Sequence, residues 1–164
     1  MFNRRESSGH LTGWASRLYS RSLDRRIKPL SLSVGQVPVV LLLAEERELS
    51  QKDLVARAVI EQPAMAAILK RMEAGDLVTR CADPRDGRAS LFRLTRKARG
   101  VLGHLTQAID DGNRQALAGF SAGEKALFIA MLQRVIRNLT VEENADVSEV
   151  RPTPVAPVKR RLPR

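Results

Sequence analysis

The stretch SQKDLVARAVIEQPAMAAILKRMEAGDLVTRCADPRDGRASLFRLT, Ser50 to Thr95, decides the fold. Ser50-Gln51-Lys52-Asp53 has the Ser-x-x-Asp form of a capping box, in which the first and fourth residues satisfy each other's backbone N–H. It predicts a helix start, with Leu54 and Val55 on the buried face. A break near Val59-Ile60 precedes Glu61-Gln62-Pro63, and Pro63 suits a first helical position, where an N–H would have no partner anyway. That helix is expected to run to about Ala74, with Gly75 as its stop. The period then changes. Leu77-Val78-Thr79-Arg80 reads as a strand, Asp83-Pro84-Arg85-Asp86-Gly87-Arg88 as a turn, and Ser90 to Leu94 as the returning strand.

Outward from this stretch the pattern is helical. Leu11, Trp14, Leu18 and Ile27, with Ala15, Leu23 and Leu30, predict a helix over about Ser8–Ile27, ended by Lys28-Pro29. Val34 to Glu46 is apolar nearly all round and belongs at the centre of the fold, with Ser33 as N-cap and Pro38 in the first turn. Thr95 is placed to cap a long fifth helix lined by Leu102, Leu105 and Ile109. Ser121 caps a last helix whose Leu127, Phe128, Met131, Leu132, Val135, Ile136 and Leu139 form a broad stripe. This is more apolar surface than one small domain needs, so packing against a second copy is its better use. The expected fold is mainly α with a small β-hairpin wing: a winged helix-turn-helix domain over 1–143, with dimerisation helices at 8–30 and 98–140 and the DNA-binding part at 50–95. Residues 144–164, rich in proline and arginine, read as a disordered basic tail.

Charge points the same way. The chain of 164 residues carries a net +10. Residues 142–164 hold five cations against four acids, leaving +9 on the rest, so the folded body itself favours a polyanionic partner. A single cysteine, Cys81, excludes an internal disulfide framework and fits a reducing compartment. The longest apolar run, Val37 to Ala44, is too short to span a bilayer, and no secretory leader is legible. The expectation is a soluble, cytoplasmic, nucleoid-associated protein with no membrane partner. An enzyme is poorly supported: His10 and His104 lie far apart in sequence, and there is no glycine-rich phosphate loop or Cys/His metal cluster. No cofactor is expected.

In a helix-turn-helix the second helix enters the major groove and presents residues near its N-terminus to base edges. These are Gln62, Ala64, Met65 and Ala67, with Ile68 turned inward. Lys70 and Arg71, a turn further on, are expected to meet phosphates. So are Ser50 and Gln51, at a helix N-terminus that favours anions. Arg85 and Arg88 flank the hairpin turn, where a guanidinium can enter a narrow minor groove.

Three stretches resemble the MarR family, and within it the SlyA-like branch. Residues 50–57 look like its first DNA-binding helix, 60–80 like its recognition helix and "L-E-x-x-G-L-V-x-R" exit, and 83–95 like its "D-P-R-D-x-R…L-T" wing. The resemblance implies a homodimer on double-stranded DNA at a pseudo-palindromic operator, usually as a repressor. By it Asp86 braces the wing and Arg88 probes the minor groove. Two positions depart from the branch: Ala67 stands where an arginine is usual, and Lys70 where an acid is usual, which shifts the expected operator toward A·T-rich sites. Many members release DNA on binding a small aromatic or phenolic effector, such as an aromatic acid or its CoA thioester. His10, Trp14, Arg17 and Tyr19 on the first helix would border such a pocket; the alternative places Trp14 in the core with His10 and Arg17 exposed. Cys81 reads as structural, with a redox sensor as the alternative. A ligand-independent SlyA-like activator or anti-silencer, or an architectural DNA binder, stands as the alternative function.

Overall fold

A computed structural model describes residues 3–83 and 90–146, the last six of them by backbone alone. The chain divides into two compact units, Met1–Ala116 and Leu117–Arg164.

In the first unit, α1 (Ser8–Ile27) starts at Ser7, whose hydroxyl accepts the His10 N–H at 3.3 Å. A 3₁₀ turn, Lys28–Leu30, carries Pro29 and ends the helix at the predicted place. Ser33 and Gln36 form a reciprocal capping box around a second 3₁₀ turn, Val34–Gln36, and α2 (Val37–Glu46) continues from it with Pro38 in the first turn. Val37, Val39, Val40 and Leu43 are buried, as a helix apolar nearly all round requires.

The short strand β1 (Glu48–Ser50) leads directly into α3 (Gln51–Ala58), and α4 (Gln62–Ala74) follows. Strands β2 (Val78–Ala82) and β3 (Ser90–Leu94) complete a three-stranded antiparallel sheet in the order β1-β3-β2, with Leu49 opposite Phe92 and Arg80 opposite Phe92 on the other side. The wing hairpin therefore rests on a third strand that sequence periodicity did not reveal. Three residues are too few to show alternation, and an Arg93–Glu48 ion pair adds a second cross-strand link there.

Thr95 caps a helix as expected, its Oγ1 accepting the Ala98 N–H at 3.1 Å. The long fifth helix is two: α5 (Arg96–Gly100) and α6 (Leu102–Ala116). The Val101 N–H returns to the Ala98 and Arg99 carbonyls at the break, beside helix-weakening Gly100. Leu105 on α6 joins Ile27, Leu54, Leu69, Met72 and Phe92 in one core.

The second unit contributes α7 (Ala122–Asp146). Ser121 and Glu124 form its capping box: the Glu124 carboxylate accepts the Ser121 N–H at 2.8 Å, and the Ser121 Oγ accepts the Glu124 N–H at 3.3 Å. The Ser121 N–H, and after it the Ser121 hydroxyl, hold the Glu124 carboxyl below the usual glutamate range. Phe120 and Phe128 meet edge to face at 6.2 Å across the first turn. The backbone stays helical to Asp146, and residues 147–164, most of the expected tail, lie outside the described residues.

Candidate nucleic-acid interface

Helix α3 is fixed at its start by Ser50 and Asp53. The Ser50 Oγ accepts the Asp53 N–H at 3.1 Å and donates to the Asp53 carboxylate at 2.6 Å. That hydroxyl is thereby committed to the cap. The Ser50 N–H is likewise taken up by the Asp53 carboxylate at 3.3 Å, so of the two predicted phosphate contacts at this terminus Gln51 is the one left with a free side chain, beside a carboxylate that opposes an anion.

The turn between α3 and α4 is made by Val59 in the left-handed region, φ 52°, with its N–H returned to the Val55 carbonyl. A β-branched residue rarely occupies this region. Val59 is also 79% exposed, so the tight turn is held by the packing of the flanking helices and not by burial of Val59 itself.

Helix α4 begins with Pro63 in its first turn. Its buried face is Met65, Ile68, Leu69 and Met72, while Gln62, Pro63, Ala64, Ala66, Ala67, Lys70 and Arg71 are exposed. The base-facing assignment of Met65 is corrected here: its side chain is 0% exposed. Met65 shares a meridian with Leu69 and Met72 at i+4 and i+7, a periodicity that marks core. Ala66 was missed for the opposite reason, since a small apolar residue gives no signal of its facing.

The exit from α4 is a Schellman turn. The Leu77 N–H donates to the Met72 carbonyl at 2.8 Å and the Asp76 N–H to the Glu73 carbonyl at 3.0 Å. The left-handed residue is Asp76, φ 54°, and not Gly75, which sits at φ −85°. At Gly75 space is short: a Cβ there would stand 3.3 Å from the Arg71 carbonyl oxygen, a tight contact. Leu77 closes the turn as a buried anchor, and so β2 starts one residue later than its apolar run. The Thr95 Oγ1 donates to the Asp76 carbonyl at 2.8 Å and the Lys97 Nζ to the Gly75 carbonyl at 2.7 Å. The start of α5 is thus bonded to the end of α4, and the exposed face of α4 is held in a fixed orientation to the sheet.

The wing-tip residues Arg85, Asp86 and Arg88 lie outside the described residues. Cys81 is half-buried on β2, its Sγ donating to the Leu91 carbonyl at 3.5 Å.

The four residues proposed for an effector pocket are not brought together. His10 and Trp14 pair edge to face at 6.3 Å, and Trp14 is 53% exposed in the single chain, so it is not core. Arg17 shares their side of α1. Tyr19 stands on the opposite side, where it lines a cleft of about 160 Å³ with Ser16, Ser20, Leu23, Val34, Ile109, Gly112 and Asn113. Sequence reasoning found one of these eight, because the rest come from three separate segments. No carboxylate or cation lines this cleft.

Two helices joined by a tight turn, followed by an antiparallel strand pair whose exit into α5 is bonded back to the end of the second helix, define a winged helix-turn-helix, the architecture of DNA-binding transcription regulators. The family model described as "MarR family" matches residues 30–89. An uncharacterised HTH-type transcriptional regulator of Bacillus subtilis, YdgJ, is 31% identical over 108 residues, which span 66% of each chain. A probable transcriptional regulator from Pseudomonas aeruginosa superposes with a TM-score of 0.75 at 26% identity, covering 81% of this chain and 99% of that one. BpsR of Bordetella bronchiseptica, whose DNA binding is regulated by 6-hydroxynicotinic acid, has the same fold: TM-score 0.75, 21% identity, covering 82% of this chain and 96% of its own. The chain belongs to the MarR family.

Proposed function

We propose that this protein is a homodimeric, sequence-specific regulator that represses transcription from a pseudo-palindromic operator in double-stranded DNA and is released by a small aromatic or phenolic ligand. The observation that carries the reading is the division of α4: an apolar face locked into the core, and an opposite face of small residues and cations left exposed beside the wing. A major groove admits such a helix, and small side chains permit close approach. By the family resemblance, Arg88 enters the adjacent minor groove from the wing tip.

The dimer is supported by apolar faces that each unit leaves uncovered. On α1 these are Leu11, Trp14 and Leu18; on α7 they include Leu127, Met131, Ile136 and Leu139. Exposed apolar area on this scale favours association. The ligand is supported by the cleft at Tyr19, whose volume is close to that of cavities that accept a single aromatic ring. Its hydroxyl and amide groups suit a phenol better than a free acid, and BpsR offers a precedent for regulation by a small ring compound. No single helix among the described residues is long and apolar enough to cross a membrane.

A mobility-shift titration at fixed salt tests the reading, with the chain's own promoter fragment against a scrambled one. A preference of about a thousandfold or more is expected. Equal affinity for both fragments would replace a regulator with an architectural DNA binder. Arg88→Ala is expected to weaken specific binding more than Ala64→Gly or Ala67→Gly.

A further inference from the structure

The outward ridge of α4 runs through Pro63, Ala66, Ala67, Lys70 and Ala74, opposite the meridian of Met65, Leu69 and Met72. Four of these five side chains have no hydrogen-bonding group. Gln62 stands about 100° round the helix from Pro63, to one side of the ridge. Arg71 turns away from Lys70 by the same angle, toward the Ala64 flank. Lys70 alone combines a donor with a position on the ridge. It has no hydrogen bond or ion pair among the described residues.

Helical side chains lean toward the N-terminus and cover the turn before their own Cα. Lys70 therefore projects over Ala66 and Ala67, toward the half of the helix that sits deepest in a groove. Both alanines are exposed and short, so the four-carbon stem has room to lie along them and carry its ammonium forward. A phosphate contact, the role that spacing along the sequence assigns to Lys70, belongs to residues on the flanks of the helix, where the groove walls stand. The ridge meets the floor. The floor group that takes a lysine is guanine, whose N7 and O6 are both acceptors.

We infer that Lys70 is the specificity-determining residue of the recognition helix and reads one guanine in each half-site. The alanines beside it supply close approach without hydrogen bonds. This rests on the DNA-reading function proposed above. Its consequence is an operator with one dominant G·C pair per half-site in otherwise permissive surroundings.

The test is selection from a random-sequence duplex library, run in parallel with wild type, Lys70→Ala and Arg71→Ala. Lys70 is exposed and unbonded, so its removal leaves the fold intact, which a matched thermal melt verifies. The wild type is expected to enrich a motif with one invariant guanine per half-site. Lys70→Ala should lose the preference at that position alone. Replacing that guanine by 7-deazaguanine should weaken wild-type binding about tenfold and leave the variant unaffected. Arg71→Ala should keep the guanine while binding more weakly with a shallower salt dependence. If Lys70→Ala selects the wild-type motif unchanged, with uniformly weaker binding and a salt slope reduced by about one, Lys70 is a phosphate contact and the inference fails. If the wild type binds the library tightly but enriches no motif, the sequence-specific function itself fails.

Discussion

Helices α4 and α7 carry similar apolar patterns and use them in opposite ways. In α4, Met65, Leu69 and Met72 are all but inaccessible, and what remains outside is alanine, proline, Gln62, Glu73 and the cations Lys70 and Arg71. In α7, Ile136 is 62% exposed and Leu139 58%. An apolar stripe at helical spacing says only that something must cover it. Whether that is the chain's own core or another molecule depends on what else the chain can supply. For α4 the chain supplies the Val34–Gln36 turn, α3 and β2; for α7 we assign the role to a second copy.

The sharpest way to break this comparison is to truncate one residue on each helix. Met65→Ala removes a fully buried side chain and should destabilise the first unit by about 2–5 kcal/mol in denaturant unfolding. A loss below about 0.5 kcal/mol would return Met65 to the surface. On α7, the double variant Ile136→Asp/Leu139→Asp should leave the circular dichroism spectrum unchanged and shift sedimentation velocity to a monomer. Each buried aliphatic side chain contributes roughly 1.5–3 kcal/mol to such an interface. A dimer that survives both charges would place the interface elsewhere.

Smaller effects sharpen the α3–α4 turn. Ser50→Ala removes the hydroxyl arm of its capping box, leaving the Ser50 N–H on the Asp53 carboxylate, and should cost about 1 kcal/mol. Val59→Gly relieves a left-handed β-branched residue and should stabilise by about 0.5–1 kcal/mol after the greater chain entropy of glycine is subtracted. A destabilising Val59→Gly would show that the exposed side chain makes a contact the strain argument omits. The smallest effect is at α7. Because the Glu124 carboxyl is depressed in the fold, the stability its cap provides is fully present above the ordinary glutamate value, about 4.3, and is lost as pH falls through the lowered one. Amide exchange at Ser121–Glu124 should accelerate, relative to the rest of α7, only below that range.

Much of this fold was legible because its punctuation is local. Ser50-Asp53, Pro63, Thr95 and Ser121 act within four residues of themselves, and each sits where its chemistry predicts. What was not legible depends on distant partners. β1 exists because Leu49 meets Phe92 more than forty positions away. Asp76 takes the left-handed conformation because Leu77 must reach the core, while glycine's preference for that role pointed to Gly75. The split between α5 and α6 had a signal in Gly100 that helix length outweighed. At the candidate site, the α4 cations and small residues were found from spacing, but the inward turn of Met65 needed its alignment with Leu69 and Met72. The Tyr19 cleft, assembled from α1, α6 and the turn at Val34, had no linear signature.

Native mass spectrometry of the intact chain on a duplex carrying its selected operator tests the central claim most directly, because it counts copies and DNA together. The account predicts two protein chains on one duplex, lost on the scrambled duplex and reduced to free chains by the α7 double variant. One chain per duplex, or a two-to-one complex indifferent to sequence, would contradict it.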